Sequence, residues 1–419
     1  MKYHFFRVVD QQSIILCIPL LAISIASVQA KEIYFQPSIN IRTEFDDNKQ
    51  LRTEESLAGI DLSSYGIITA AVARAGVRSN RYEVSLDNKI SINRYKSEFD
   101  LDSDDYNFNL SSSYNVTERS RLGLNGSYTR DTTLTSELED TGTGFVQNNL
   151  NRQQWSITPD WSYSLSNTQF LQASYTHSEI DYEESARSSL ADYSIDNVSF
   201  SFSQQWTPLL SNNLSVTAMS FRVPKINSGQ GLYSSRDTTE YSVNLGADYQ
   251  ISPTWSTSLS VGKRFTNTET TQLVDTPFEQ ATSDDVTGLV FSLSVDKKFE
   301  AGSANVRYSR STNAQGNGLL QVQDIIAANY TYKYSPTLQF SLNGSAKVTS
   351  SSGSEDDGND RNNFSISPSL RWEIDRQVSL TANYRYRAQT FEINDEKAES
   401  NLVSLTFNYQ WNKFKTQRY

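Results

Sequence analysis

Apolar and polar side chains alternate with a period of two along most of this chain. Close to the C-terminus an apolar row interleaves with a polar one: Leu405, Phe407, Tyr409 and Trp411 against Ser404, Thr406, Asn408 and Gln410. A β-strand directs successive side chains to opposite faces, so each such stretch predicts a strand with one apolar and one polar face. So many two-faced strands do not fit one soluble core. The pattern therefore predicts a transmembrane β-barrel, with lipid outside and water inside.

The alternation predicts an all-β chain that forms a single antiparallel, up-and-down barrel of about 18 strands (range 16–18). No run beyond the first thirty residues approaches the ~20 apolar residues that a membrane helix needs. The predicted strands are 33–46, 66–78, 81–95, 105–116, 120–130, 153–165, 168–182, 195–207, 213–223, 239–251, 254–268, 286–300, 303–312, 320–335, 337–349, 362–374, 378–392 and 400–412.

The connections between these strands alternate in length. Short turns occur at 117–119, 166–167, 252–253, 301–302, 335–336 and 375–376, and longer polar links at 131–151, 183–194, 224–238, 269–285 and 350–361. Bacterial barrels have short periplasmic turns and longer extracellular loops. An even number of strands then leaves both termini in the periplasm.

Residues 1–30 have the pattern of a secretory signal peptide. Lys2 and Arg7 give a positive start, an apolar segment follows, and Val28-Gln29-Ala30 resembles a cleavage site. This predicts a mature barrel of residues 31–419 in the outer membrane. The only cysteine, Cys17, would be removed with the signal, so no disulfide is predicted.

The predicted mature chain is acidic, with 35 basic against 47 acidic residues and a net charge of −12. This charge argues against a nucleic-acid partner. The expected partners are outer-membrane lipid and lipopolysaccharide, the barrel-assembly machinery and a polysaccharide.

A barrel of this size should enclose a water-filled lumen. The period-2 register predicts a lining of Ser, Thr, Asn and Gln with charges of both signs. The candidate lumen-lining residues are Arg307, Arg371, Asn383, Arg385, Arg387 and Asp248. One interpretation is a basic stripe that guides anionic solutes. The other is that inward charges pair with one another and only keep the lumen solvated.

Aromatic residues recur where the strands approach the short turns. Two girdles of aromatic side chains would anchor a barrel at the two membrane interfaces. The predicted periplasmic girdle is Tyr114, Tyr163, Trp206, Tyr249, Phe299, Tyr334, Trp372 and Trp411. Lys263 is a misfit, because the register puts it on the lipid side. It should lie near the outer rim, unless a bulge at Gly262 shifts the phase.

The sequence offers little for catalysis, and we predict no catalytic residue, cofactor or metal ion. The predicted mature chain has one histidine, His177, which a barrel hydrolase would need beside a nucleophile. Acidic clusters occupy the long links at 102–105, 137–140, 284–285 and 355–357. They are surface charges that keep the loops soluble, or sites where divalent cations bridge to lipopolysaccharide.

Three segments resemble a known family. They are Arg42-Thr43-Glu44-Phe45-Asp46-Asp47-Asn48, the stretch from Asn115-Val116-Thr117-Glu118-Arg119 to Tyr128-Thr129-Arg130-Asp131, and the closing Val403–Trp411. They are similar to outer-membrane β-barrel porins associated with exopolysaccharide and exosortase loci of Gram-negative bacteria. The resemblance implies an outer-membrane barrel with a role in polysaccharide export, and it implies no catalytic or ligand residues.

Two functions follow as hypotheses, and a lipid-modifying barrel enzyme that depends on His177 is a third. The first is a porin-like channel that passes polar solutes and takes part in exopolysaccharide export. The alternative is a non-transporting surface barrel that acts in adhesion or scaffolds polysaccharide assembly.

Overall fold

Alternating strands joined by turns pair with their neighbours in chain order, and here they close on themselves. The structure is a computed structural model that describes residues 31–53, 60–135, 149–183, 190–227, 232–274, 276–351, 360–392, 395–412 and 414–418. These form a closed antiparallel barrel with eighteen strand positions, the last of which two consecutive strands share, and this confirms the predicted fold class. In the described part of the chain no helix has the length and apolar character needed to span a bilayer.

The strands lie where the period-2 pattern places them, with differences mainly at their ends. Their bounds are β1 Lys31–Asp46, β2 Ser64–Ser79, β3 Tyr82–Lys96, β4 Ser103–Asn115, β5 Ser120–Thr132, β6 Asn151–Ser164, β7 Gln169–Tyr182, β8 Tyr193–Thr207, β9 Leu210–Asn227, β10 Tyr233–Ser252, β11 Trp255–Gln272, β12 Gln280–Phe299, β13 Gly302–Ala314, β14 Leu320–Lys333, β15 Leu338–Ser351, β16 Arg361–Glu373, β17 Val378–Phe391, β18 Lys397–Gln410 and β19 Phe414–Arg418.

The first and last strands close the sheet. β1 pairs with β18 from Ser38 opposite Gln410 to Asp46 opposite Leu402. The short β19 continues the last strand and pairs with the start of β1. Closure removes the two free sheet edges, so backbone amides and carbonyls find partners within the barrel wall, as a membrane interior requires.

Short turns and longer connections lie at opposite ends of the barrel. The turns fit their sequences: Thr117 Oγ1 accepts hydrogen bonds from the amides of Arg119 and Ser120, and Asp375 Oδ1 accepts from those of Gln377 and Val378. Such side-chain acceptors stabilise tight turns. Both ends of the described chain lie at the short-turn end, because β1 runs away from it and β18 runs towards it.

Two predicted long links are wrong, because strands occupy most of them. Residues 224–227, 233–238, 269–272 and 280–285 of the predicted loops 224–238 and 269–285 belong to strands, since β9 to β12 extend over 18 to 20 residues. The extension of β11 and β12 is at least partly exposed on both faces, and that of β10 carries Arg236 and the buried Thr238 on its inner face. Neither extension needs an apolar row that faces lipid, so the period-2 signal stops before the strands do.

The wall of the barrel is discontinuous between β12 and β13. Their pairing runs from Phe299 opposite Gly302 only up to Phe291 opposite Arg310. Beyond that point β12 pairs only with β11, whereas the upper part of β13 pairs only with β14. The β13–β14 hairpin is therefore free to leave the cylinder of the wall.

The outer face is apolar around the whole circumference, with aromatic residues at its short-turn edge. The eight residues of the predicted girdle lie at this end on the outward side of their strands or in the adjoining turn, with Trp206 and Tyr334 67% and 76% exposed. Their anchoring at a membrane interface stays a prediction.

Lys263 lies on the outer face, and the suggested bulge is wrong. The pairing of β11 with both neighbours runs through Gly262 without a shift. Eight residues separate Lys263 from the strand start at Trp255, which is about 20 Å along the barrel axis for strands tilted by ~40°. Its ammonium group lies 5.0 Å from the ring centre of Phe265. That position lets the charge reach the outer rim of the apolar band.

Candidate functional site

The inner face of the barrel carries the polar half of the alternation and is the candidate functional surface. On β10 the outward residues Tyr241, Val243 and Leu245 are 56%, 46% and 62% exposed, whereas Ser242 between them points inward and is buried. The same division holds in strand after strand. The interior is therefore hydrophilic although it is enclosed.

The strand register puts all six candidate lumen residues on the inner face but does not gather them into one site. Asp248 is far from the others, on β10, and lies 3.4 Å from Ser211 Oγ. Arg371 lies 3.5 Å from Glu373, and Asn383 accepts a hydrogen bond from Ser367. The remaining three are Arg307, Arg385 and Arg387. Whether they line a conducting path stays a prediction.

Arg387 belongs to a buried network that fixes the start of the β1–β2 connection. Its Nη2 donates to Asp46 Oδ2 at 3.1 Å, to the Lys49 carbonyl and to Ser400 Oγ. The Asp46 side chain has no exposed area and that of Arg387 only 7%. Here the interpretation that inward charges pair with each other is correct. The Asp46–Arg387 ion pair, together with the hydrogen bond to Lys49, holds the segment after β1 in the mouth of the barrel.

A second ion pair holds the same segment. Lys49 Nζ lies 2.9 Å from Glu44 Oε1, and the Tyr95 hydroxyl donates to that same oxygen. Both charges are nearly fully buried. A buried pair of this kind is costly to break, because the remaining charge has no solvent.

Apolar contacts complete this closure. Leu51 packs in a buried cluster with Leu101, Leu134 and Ala398, which belong to three other parts of the rim. The neighbouring Arg52 stacks 4.5 Å from the ring centre of Phe99. Burial lowers the pKa of the Arg52 guanidinium from its ordinary value. Residues 46–53, which we call the mouth segment, thus cover one side of the loop-end opening.

The β13–β14 hairpin covers the opposite side by folding into the lumen. Thr312 lies on the outward side of β13, yet its hydroxyl donates to Glu240, an inward residue of β10, at 2.9 Å. Leu320 and Val322 on the outward side of β14 are only 6% and 5% exposed. The tip of the hairpin, residues 311–323, has therefore bent inward, and its outward face packs against the inner wall.

That inner wall is apolar where the hairpin tip docks. The tip contributes Leu320 to a buried cluster with Ile180, Tyr182, Leu190, Ala191, Tyr193, Phe221 and Val223. The predicted lining of Ser, Thr, Asn and Gln is wrong in this sector. The reason is that the hairpin excludes water here, so apolar residues can face inward without facing solvent.

Glycines make this close approach possible. The Ala191 amide donates to the Gly316 carbonyl at 2.7 Å. Gly318 has a φ of +77°, and a Cβ there would lie 3.3 Å from Ile226 and Val223. Glycine adopts this conformation without the penalty that an L side chain suffers.

A polar network flanks the docked tip. Glu240 accepts from Thr266, and Arg264 lies 3.5 Å from the same carboxylate with 4% of its side chain exposed. On the other side Arg236 donates to the Gly318 carbonyl. Sequence reasoning missed this docking site. Its signal was the run of apolar residues at inward positions of β7 to β9, where the barrel pattern requires polar ones.

His177 points outward, away from the lumen. Its Nδ1 lies 2.8 Å from Asp196 Oδ1, and its ring is 5.0 Å from that of Trp155. The Tyr175 hydroxyl donates to the same Asp196 oxygen. In the described part of the chain, Asp196 is the hydrogen-bonding partner of the imidazole.

The acidic clusters of the loops are partly paired. Asp104 lies 2.8 Å from Arg94, and Asp285 accepts from Asn267. The clusters at 137–140 and 355–357 fall outside the described residues. Among the residues that are described, no group of three or more His, Cys, Asp and Glu side chains is arranged to hold a metal ion.

Comparison with known proteins gives similarity of architecture. No family model and no curated sequence matches the chain. Among solved structures, OccAB4 of Acinetobacter baumannii matches over 92% of this chain and 99% of its own, at 12% identity and a TM-score of 0.46. The ferric-catecholate import receptor Fiu of E. coli K12, in its open form, matches over 89% of this chain and 81% of its own, at 8% identity and a TM-score of 0.46. The ferric citrate transporter FecA, in its unliganded form, matches over 90% of this chain and 78% of its own, at 8% identity and a TM-score of 0.48. Similarity at this level concerns the barrel shape alone.

Proposed function

We propose that this chain is an outer-membrane channel that conducts polar solutes and favours anions. Residues 1–30 would direct it to the cell envelope, and both termini would lie in the periplasm. Its surroundings would be membrane lipid and lipopolysaccharide, and the barrel-assembly machinery would insert it.

The division of the wall into two faces carries the proposal. Large apolar side chains such as Leu245, Leu289 and Val403 are 56–66% exposed on the outer face. A soluble protein rarely exposes so extended an apolar surface, whereas a lipid-facing barrel must. Outside the docking sector of β7 to β9 the inner face is polar, and the mouth segment and the hairpin tip cover it at the loop end. An aqueous path closed by movable segments fits this arrangement.

The preference for anions rests on the charges of the last strands. Arg307, Arg371 and Arg385 face the lumen within a third of the barrel, and Arg307 is exposed there. A basic wall raises the local concentration of anions and lowers their barrier. The resemblance of three segments to exopolysaccharide-associated porins supports an acidic polysaccharide as the cargo.

Planar-bilayer recording of the purified protein tests the channel. We expect discrete conductance steps, and a reversal potential under a KCl gradient that indicates anion preference. Arg307→Glu and Arg371→Glu should shift it towards cations, because both side chains are accessible and neither belongs to a buried network. Arg385→Glu should act in the same direction.

The matched control is Arg310→Glu, the same charge reversal on the outer face of β13. It should leave the reversal potential unchanged. A protein that inserts but never conducts would overturn the channel proposal, as would equal shifts from Arg310→Glu and Arg307→Glu.

The second candidate is a surface barrel for adhesion or for scaffolding polysaccharide assembly. It is favoured by the closed mouth and by the protruding extensions of β9 to β12. Shortening the β11–β12 hairpin to remove residues 268–284 should then abolish attachment while membrane permeability stays the same.

A further inference from the structure

We propose that the upper inner face of β15 to β17 binds a hydroxylated organic oxyanion, with a sugar acid as the matching class. The site consists of Lys347, Thr349, Asn363 and Gln389, which we call the donor cluster. This inference rests on the proposed function, in that solutes must enter the lumen to reach it.

The register places the donor cluster in one continuous patch. Lys347 lies opposite Asn363 in the pairing of β15 with β16, and Asn363 lies opposite Gln389 in that of β16 with β17. Neighbouring strands are about 4.8 Å apart, so the three side chains form a row across the inner wall. Thr349 lies two residues beyond Lys347 on the same face. The four side chains therefore lie within the span of one ligand of sugar size.

Several polar atoms of the donor cluster are buried without a partner. Gln389 is 1% exposed, and neither its amide nitrogen nor its amide oxygen forms a hydrogen bond. The same holds for Thr349 Oγ1, in a fully buried side chain, and for Asn363 Nδ2. Buried polar groups of folded proteins nearly always have partners. Orphaned atoms on one patch of a lumen wall therefore indicate a polar ligand.

The charges around Lys347 favour an anionic ligand. Among the described residues no hydrogen bond or ion pair to Lys347 occurs, and its diagonal neighbour across the β15–β16 pairing is another cation, Arg361. Arg361 lies opposite Thr349 and is fully buried. Arg387, on the next strand, is compensated by Asp46. Lys347 thus differs from the paired basic residues of the lumen, and an oxyanion would complete its environment.

The side-chain chemistry narrows the class of anion. An ammonium group and a hydroxyl donate to oxyanions, but the Gln389 carbonyl oxygen can only accept. An inorganic oxyanion without a hydroxyl group, such as sulfate, would leave that acceptor without a donor. A ligand that carries hydroxyl groups beside its carboxylate satisfies both halves of the amide.

The burial of the donor cluster also gives a direction of approach. Lys347 and Asn363 are partly exposed, whereas Gln389 and Thr349, the latter nearer the loop end, are buried. A solute that enters from the short-turn end therefore meets Lys347 and Asn363 first, beneath the closed mouth.

Isothermal titration calorimetry on the purified full chain in micelles, at low ionic strength, tests this site with glucuronate, glucose and sulfate as probes. We expect glucuronate to bind and glucose to bind at least tenfold more weakly. Lys347→Met should weaken glucuronate about ten- to hundredfold, as expected for loss of a charge-assisted hydrogen bond. Lys263→Met, the same change on the outer face, should leave the affinity unchanged.

Gln389→Leu provides a second variant that replaces an orphaned buried amide by an apolar group and so should fold. It should weaken glucuronate severalfold and leave sulfate unaffected. Equal affinities for glucuronate and glucose, or an unchanged affinity in Lys347→Met, would overturn the site. A response of sulfate equal to that of glucuronate in both variants would overturn the sugar-acid class. Because binding is measured in micelles, a chain that binds but never conducts would refute only the channel.

Discussion

Removal of the Phe221 ring should release the β13–β14 hairpin tip from the lumen wall. Phe221 is fully buried in the docking cluster, and its ring packs edge-on to that of Tyr193 at 5.3 Å. A phenylalanine side chain buries roughly 200 Å², which corresponds to about 5 kcal/mol at 25 cal/mol per Å². Tyr193 belongs to the neighbouring strand, so part of this burial persists when the tip leaves.

We take the share that holds the tip as about two fifths of the total, or roughly 2 kcal/mol. Phe221→Ala should therefore shift the equilibrium between docked and released hairpin about 30-fold towards release. The assay is the rate at which a water-soluble maleimide modifies Leu320→Cys, in a Cys17→Ser background. Leu320 is 6% exposed, so the reagent reaches it only in the released state.

We expect a labelling rate about 30-fold higher in Phe221→Ala, together with longer open times in bilayer recordings. The matched control is Phe200→Ala on the outer face of β8, where the ring is 44% exposed. It should leave the labelling rate unchanged. An unaltered rate in Phe221→Ala, with the barrel still folded, would refute the idea that this cluster docks the hairpin.

Three further changes test other parts of the structure. Gly318→Val should also raise the labelling rate at Leu320→Cys. A side chain at φ +77° adds about 1–2 kcal/mol of backbone strain, and its Cβ would crowd Ile226. An unchanged labelling rate would contradict the docked geometry. Asp46→Ala should lower the free energy of unfolding, measured in urea, by about 3–5 kcal/mol, because Arg387 would stay buried without its partner. The control Asp248→Ala, at an exposed position, should change that free energy by less than about 0.5 kcal/mol. In vesicles, single-tryptophan variants that keep Trp206 or Trp372 should be quenched more by bromines near the headgroups than by bromines near the chain ends, because both rings lie at the short-turn edge of the apolar band. Stronger quenching by deep bromines would place that edge elsewhere.

The fold itself could be predicted from the sequence because alternation is a local property. Each strand between water and lipid must carry one polar row and one apolar row. The row to which a residue belongs therefore shows whether its side chain faces the lumen or the lipid. Arg371 and Asn383 could thus be placed on the inner face, and Trp372 on the outer, without any tertiary information. The short turns set the number and the direction of the strands.

The same reasoning failed where the solvent on a face changes. The extension of β12 is exposed on both faces, and that of β10 places polar residues such as Arg236 against the docked hairpin tip, so both lack the pattern and the sequence predicts loops where strands lie. At the docking cluster the inner face is dry, so Phe221 and Val223 interrupt the polar row. The alternation of a strand shows whether each of its faces meets a polar or an apolar environment. It does not show whether an apolar environment is lipid or another segment of the same protein.

The sequence by itself therefore determined a closed, two-faced barrel with connections of alternating length. Only the tertiary structure decided how its mouth closes. Leu320 meets Tyr182, and Asp46 meets Arg387, across separations of well over a hundred residues. Such contacts depend on how far β13 departs from β12 and where the mouth segment turns inward. These are properties of the assembled wall, and no stretch of sequence carries them alone.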